Sequence, residues 1–193
     1  NKFHPTVWVG TIIGKLVPFS RGHSPRTEKL LGVVLTISVT TLVAITLYFL
    51  NHGLGAINLI ANFSYEDELI VLIFSVLISG VLLKTTIAIK GMESHAKLIV
   101  QSLSKDNLDD ARRRLSMIVK RDTKNLDKQH IISGILESIS ENIVDGITGP
   151  IFYFTFFGLP GAFVYRTINT IDSMIGYKTD SFRNIGWFGA NCD

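Results

Sequence analysis

Residues 30–50 read LLGVVLTISVTTLVAITLYFL, a stretch without one charged side chain. At about 1.5 Å of rise per residue, a helix of that length crosses the roughly 30 Å hydrocarbon layer of a bilayer. Residues 69–83, LIVLIFSVLISGVLL, form a second apolar block, which 85–89 extend if Lys84 snorkels to water or faces protein. A buried helix of a soluble protein is the other reading of this second block. A third block, 146–165, is apolar and aromatic but interrupted by Pro150 and by Gly158-Leu159-Pro160-Gly161. The blocks predict an all-α, polytopic integral membrane protein forming a single membrane domain over 1–193. Its spans are expected at about 30–50 and 69–89, with cytoplasmic helices over about 90–145. A broken or re-entrant hydrophobic hairpin is expected over about 146–175.

Composition agrees. The chain has 193 residues, 47% of them hydrophobic, with a mean hydropathy of +0.34, and its apolar residues are gathered into blocks instead of spread periodically. A net charge of +3 implies no nucleic-acid partner. A single cysteine, Cys192, leaves no internal disulfide and no Cys-based zinc site, and the five histidines lack metal-ligand spacing. No signal peptide is recognisable at the start, and Asn1 in place of Met suggests a fragment or a processed chain. Gly10 to Lys15 falls one residue short of a P-loop spacing and lacks its Ser/Thr. Gly10 and Gly14 suit close helix packing instead.

Basic residues set an expected orientation. Lys2, Lys15, Arg21, Arg26 and Lys29 precede the first span, and 84–128 is again rich in Lys and Arg. Between the spans, 51–68 has neither, carrying Glu66, Asp67 and Glu68. The positive-inside rule puts the N-terminus and the long polar segment in the cytoplasm and this short loop outside. The Asn62-Phe63-Ser64 sequon would fall in that loop, and such triplets are common by chance.

The polar segment reads as helices. Asn107 or Asp106 can cap one running through Leu108, Ala111, Leu115, Ile118 and Val119. Arg112-Arg113-Arg114 lies on it, either as a solvated anchor or as a site for anionic lipid or phosphate. A second helix is expected over 128–144, with Ile131, Ile132, Ile135, Ile139 and Ile143 on its apolar side. Glu137, Glu141 and Asp145 recur on this helix at i, i+4, i+8, near one face. Like charges so spaced repel, and no Lys or Arg lies between Lys128 and Arg166 to relieve them. Holding Mg²⁺ or a cationic group is a plain reason to keep such a stripe; an exposed acidic face or distant arginine partners is the other. Asn142 adds an amide beside it. Arg121-Asp122-Thr123 supplies a guanidinium, a carboxylate and a hydroxyl, although Asp-Thr can also merely cap the next element.

A second polar constellation follows the third apolar block. Arg166, Asn169 and Ser173 share one helical face with Asp172 on its flank, and Gly176 permits a turn to Tyr177 and Lys178. Such groups are costly on a lipid-facing helix. Hydrogen bonding between helices is the alternative to a functional role.

From Glu137 to Lys178 the sequence resembles the CbiB/CobD family of cobalamin-biosynthesis membrane proteins, the adenosylcobinamide-phosphate synthases. The matching pieces are Arg121-Asp122-Thr123, residues 137–146 (ESISENIVDG), Pro150-Ile151-Phe152, residues 158–162 (GLPGA) and residues 169–178 (NTIDSMIGYK). His4-Pro5 and Trp8-Val9-Gly10 resemble the family's N-terminal segment. A basic residue often seen after that His-Pro is replaced here by the neighbourhood of Val7 and Thr11. The family's further C-terminal part, with its Pro-Ala-Arg motif, is absent from the sequence.

The resemblance implies ATP-dependent amide formation in vitamin B12 synthesis, a carbon–nitrogen ligase reaction. Adenosylcobyric acid, a corrinoid, would be joined to aminopropanol or its phosphate. Mg²⁺ and ATP are implied as cofactors, and the cytoplasmic (inner) membrane as location, with membrane lipid around the chain. Self-association, or association with other membrane enzymes of the corrinoid pathway, stays open. In this reading Asp122, Glu141 and Asp145 are catalytic, with Asp122 as general base and Glu141 and Asp145 holding metal or ammonium. Arg121, Thr123, Glu137, Asn142, Arg166, Asn169, Asp172, Ser173, Tyr177 and Lys178 contact substrate. Both constellations are then expected on the cytoplasmic side, so 146–165 should turn back at 158–161 instead of crossing. An AmpE-like membrane sensor, related but non-enzymatic, is the alternative; it need not keep Asp145, Asn169, Asp172 and Lys178. A transporter built on a broken helix would place acidic residues deep in the first two spans, which have none.

Overall fold

A computed structural model describes residues 4–61, 65–88, 90–119 and 121–193. Every regular element among them is helical. The elements are α1 (Pro5–Leu16), a 3₁₀ turn (Val17–Ser20), α2 (Pro25–Ala61), α3 (Tyr65–Thr86), α4 (Lys90–Ser104) and α5 (Leu108–Leu115). After α6 (Lys128–Ile143) come a π-helical turn (Val144–Thr148), α7 (Gly149–Ile175) and α8 (Trp187–Cys192). The chain divides into two compact units, Asn1–Thr86 with Gly149–Asp193, and Ile87–Thr148.

In the first unit α7 packs against α1, α2, α3 and α8. Pro5 opens α1 at a position where its missing N–H costs nothing. Val9 and Ile13 of α1, Leu35 and Val39 of α2, and Ile171 and Ile175 of α7 share one core with Ile185. Gly10 and Gly14 let Met174 approach α1, with the Met174 sulfur 3.4 Å from where a Cβ at Gly10 would stand. A smaller cluster joins Leu47 to Leu159 and Phe163.

Segments at Pro25–Leu50, Leu69–Ser104 and Lys128–Ile175 are long and apolar enough to cross a membrane. Val34 and Ile37 of α2 and Leu72, Phe74, Val76 and Val81 of α3 are each more than half exposed. Exposed apolar surface of that extent marks a face for membrane or protein contact. The expected connection over 51–68 is mostly helix, because α2 runs on to Ala61 and α3 starts at Tyr65. The Asn62–Ser64 sequon lies outside the described residues.

The third apolar block is not one straight rod. At Gly158 the backbone takes φ 64°, ψ −157°, a combination open in practice to glycine alone. Tyr153 and Tyr165 then stack with ring centroids 5.0 Å apart, where twelve residues of straight helix would separate them by about 18 Å. Gly161 lets the second arm approach the first, since a Cβ there would meet the Tyr153 carbonyl oxygen at 2.6 Å. The arms, 149–157 and 159–175, thus form a helical hairpin. The first arm is about 14 Å long, less than half of a hydrocarbon layer.

The second unit is built on local rules. Asn107 caps α5 by accepting from the Asp110 amide at 3.0 Å, and Asp127 caps α6 by accepting from the His130 amide at 2.8 Å. Ile99, Leu103, Ala111, Leu115, Ile131 and Ile135 form its core, with Leu108, Ile118, Val119 and Ile139 against it. Ile132 and Ile143 lie outside that core, 42% and 48% exposed. The i, i+4 stripe 131–135–139 fills the interface, and Ile132 sits about 100° away from it.

Candidate functional site

The second unit gathers the first set of predicted residues. Arg121, from the loop before α6, reaches α6 and donates from Nη2 to Glu137 Oε2 at 3.0 Å. Its guanidinium passes over Gly134, where a Cβ would come within 2.8 Å of Nη2. Glu137 therefore has a distant arginine as its partner, the alternative to a bound cation that the sequence left open for this stripe. Thr123 is buried and donates to the Arg112 carbonyl at 3.0 Å, tying the loop to α5. Asp122 is exposed and its Oδ1 accepts from the Lys124 amide at 3.0 Å, which shapes the turn.

Glu141 is exposed on the last turn of α6. Asp145 sits in the π turn, half-buried, so the regular helical step ends just before it. Widened turns of this kind occur often at functional positions. The turn is pinned by the Ala88 amide, which donates to the Gly146 carbonyl at 3.0 Å. A Cβ at residue 146 would meet the Ala88 carbonyl at 3.1 Å and the Asn142 side chain at 3.3 Å. Asn142 lines an open, mostly apolar cleft of about 630 Å³, together with Met92, Ala96, Val100, Ile139, Ile143 and Ile147. Ile143 thus serves the cleft wall instead of the core.

Arg112, Arg113 and Arg114 are engaged on α5. Arg112 pairs with Asp109 at 3.0 Å, while Arg113 and Arg114 both reach Asp110 at 2.6 Å. Asp110 also accepts from the Ser102 hydroxyl of α4 at 2.6 Å. That hydroxyl bond, then Arg114 and Arg113, hold the Asp110 carboxyl far below the usual carboxylate range. Bonds from the His130 amide and ring lower Asp127 likewise.

The other predicted residues lie in the first unit. Arg166 Nη1 donates to Asn169 Oδ1 at 3.0 Å, and buried Asn169 donates onward to Asp193 at 3.4 Å. The Asp172 carboxylate packs against Gly176, whose amide donates to the Asp172 carbonyl at 2.7 Å. Ser173, Tyr177 and Lys178 are exposed. Among the described residues no three His, Cys, Asp or Glu side chains converge as a cation site. Glu141 and Asp145 are two hard oxygen donors one turn apart. That set fits Mg²⁺, which takes one or two carboxylates and completes its shell with phosphate and water.

Three features of this region have no counterpart in the expectations drawn from sequence: Gly134, the π turn, and the joining of Arg112 and Lys124 to Arg121 around one concavity. Gly146, Gly149 and Pro150 in quick succession were the available signal of an irregular turn. The other two depend on tertiary contact and left no local signature.

All of residues 1–193 match the family described as CobD/Cbib protein. The chain belongs to that family. It is 38% identical over its full length to the probable cobalamin biosynthesis protein CobD of Methanothermobacter thermautotrophicus, covering 57% of that protein. Against the protein of the same name from Thermoplasma volcanium it is 42% identical over 98% of its length, again covering 57% of the relative. The cobalamin biosynthesis protein CobD of Halalkalibacterium halodurans is 36% identical over 98% of the chain, 55% of that protein being covered. The chain thus spans a little over half the length of these relatives. No solved structure matches it.

Proposed function

We propose that this chain belongs to an enzyme of cobalamin biosynthesis that joins the carboxylate of a cobyric-acid corrinoid to aminopropanol or its phosphate, at the expense of ATP. The observation that carries the reading is the family match over the whole chain, residues 1–193. The sensor alternative draws no support from relatives named for cobalamin biosynthesis.

Carboxylate and amine do not condense in water unaided. In the proposed route the ATP γ-phosphoryl group passes to the substrate carboxylate, giving an acyl phosphate and ADP. The amine then attacks the carbonyl carbon, phosphate leaves, and a base takes the amine proton. Arg121, held by Glu137, offsets phosphate charge. Asp122, exposed at the turn, is assigned the proton. Glu141 and Asp145 are the pair that would hold Mg²⁺, which when bound neutralises phosphate oxygens. Asn142 faces the apolar cleft, whose volume lies in the usual range for small-molecule sites. We assign the methylated corrin face to that cleft, with the Asn142 amide orienting a peripheral group. In the first unit Asn169 and Asp172 orient substrate and Lys178 contacts phosphate or carboxylate. We place the enzyme in the cytoplasmic membrane, multi-pass, with its polar segments on the cytoplasmic side.

The test supplies cobyric acid, ATP, Mg²⁺ and aminopropanol phosphate to the membrane-embedded, full-length protein, with products identified by mass. Wild type should form the amide, and Asp145→Asn should slow it at least about 100-fold at similar size and shape. A folded wild type that forms no amide removes the ligase reading.

A further inference from the structure

The second unit holds a separate concavity of about 340 Å³, lined by Arg112, Arg113, Arg121 and Lys124 against only two carboxylates, Asp109 and Asp122. We infer that this concavity is a phosphate-binding site, taking a phosphate ester through the guanidinium of Arg112 and the charges of Arg121, Arg113 and Lys124.

An arginine-rich helix end is ordinarily a solvated face, and three features separate this one from that reading. The first is preorganisation. Arg112 is only 26% exposed, its Nε donates to the Leu126 carbonyl at 2.8 Å, and its own carbonyl accepts from Thr123. A guanidinium fixed in this way loses little freedom when an anion arrives. The second is a replaceable partner. Asp109, on the Arg112 Nη1 at 3.0 Å, is 94% exposed. A surface pair of that kind is weak, and a phosphate ester with nearly two negative charges displaces one carboxylate. The third is spare charge. Asp122 spends its Oδ1 on the Lys124 amide, and among the described residues the Lys124 ammonium forms no ion pair. Arg113 and Arg121 are held by Asp110 and Glu137 through one nitrogen each of a five-donor fork.

The position is also suggestive of its use. Glu137, the anchor of Arg121, stands one turn before Glu141 on α6, about 6 Å along the axis. A phosphate bound to Arg121 would therefore lie beside the acidic stripe. The inference rests on the ligase reading only for what carries the phosphate: ATP or the phosphorylated amine. A lipid headgroup at the membrane surface offers the same chemistry.

The experiment uses the full-length protein in phosphatidylcholine nanodiscs, with tripolyphosphate as probe in equilibrium dialysis. The variant is Arg113→Gln/Lys124→Gln, which removes two exposed charges and leaves the Arg112 brace intact. Wild type should bind the probe, and the folded variant at least 10-fold more weakly. Stronger displacement by ATP than by aminopropanol phosphate assigns the site to the nucleotide, and the reverse order assigns it to the amine. Loss of the probe only when phosphatidylglycerol is added assigns it to the lipid headgroup. Equal affinity of wild type and folded variant overturns the inference, whatever the amide assay shows. Binding that depends on these residues in a protein that makes no amide upholds it while the ligase reading falls.

Discussion

Arg121 and Glu137 are sixteen positions apart in sequence, yet their side chains meet at 3.0 Å across the surface of α6. The pair joins the loop carrying Asp122 to the helix carrying Glu141, and Gly134 leaves the guanidinium room to cross. Both side chains are about half exposed. An ion pair in that setting contributes at most about 1 kcal/mol to stability. On the proposed ligase reading, its value lies in where it holds the Arg121 cation.

Arg121→Ala and Glu137→Gln should consequently leave the melting temperature nearly unchanged while lowering amide formation at least about 10-fold. Gly134→Ala should lower activity as well, because its Cβ would stand 2.8 Å from Arg121 Nη2 and push the guanidinium off its place. The melting temperature should change little, since the Arg121 side chain can swing aside and helix propensity favours alanine by about 1 kcal/mol. Activity unchanged in all three variants would show the pair to be surface decoration.

Asp110 predicts an acid limit for the second unit. Its carboxylate is held ionised by the Ser102 hydroxyl, Arg114 and Arg113, so its folded pKa lies far below the ordinary value near 4. The stabilisation is present above that ordinary value and is lost as pH falls toward the folded one. Thermal melting of wild type should weaken steadily between about pH 4 and pH 2. Asp110→Asn should start lower and lose less over the same interval. Parallel pH curves for the two proteins would mean that this proton is not coupled to folding.

Local chemistry made much of this fold legible beforehand. Of the two caps expected for α5, Asn107 or Asp106, it is Asn107 that caps it, and Leu108, Ala111 and Leu115 fall on the buried face by periodicity alone. The break at Gly158 was readable because glycine and proline stand together there. The continuation of α2 to Ala61 was not, since neither hydropathy nor charge separates a helical extension from a polar loop over 51–61. In the candidate site the acidic stripe was visible as a spacing. Its partner was not, because Arg121 arrives through a loop whose path is set by Thr123 bonding to Arg112. Periodicity reports what one helix presents and is silent on what another element brings to it.

The hairpin offers the sharpest remaining test. Gly158 adopts a conformation in which a side chain costs about 1–3 kcal/mol, and the Tyr153–Tyr165 stack depends on that reversal. Gly158→Ala should therefore destabilise the first unit by about that amount, with Gly158→Asn at least as costly, since asparagine favours positive φ only with ψ near 45°. A first arm of about 14 Å cannot carry the chain across the bilayer, so the segment after α7 should return to the cytoplasmic side. In a Cys192→Ser background, Lys178→Cys should react with a membrane-impermeant maleimide in inverted vesicles and stay unlabelled in intact cells. Labelling of residue 178 from the outer face alone would mean that the two arms cross the membrane between them, and the re-entrant reading would be lost.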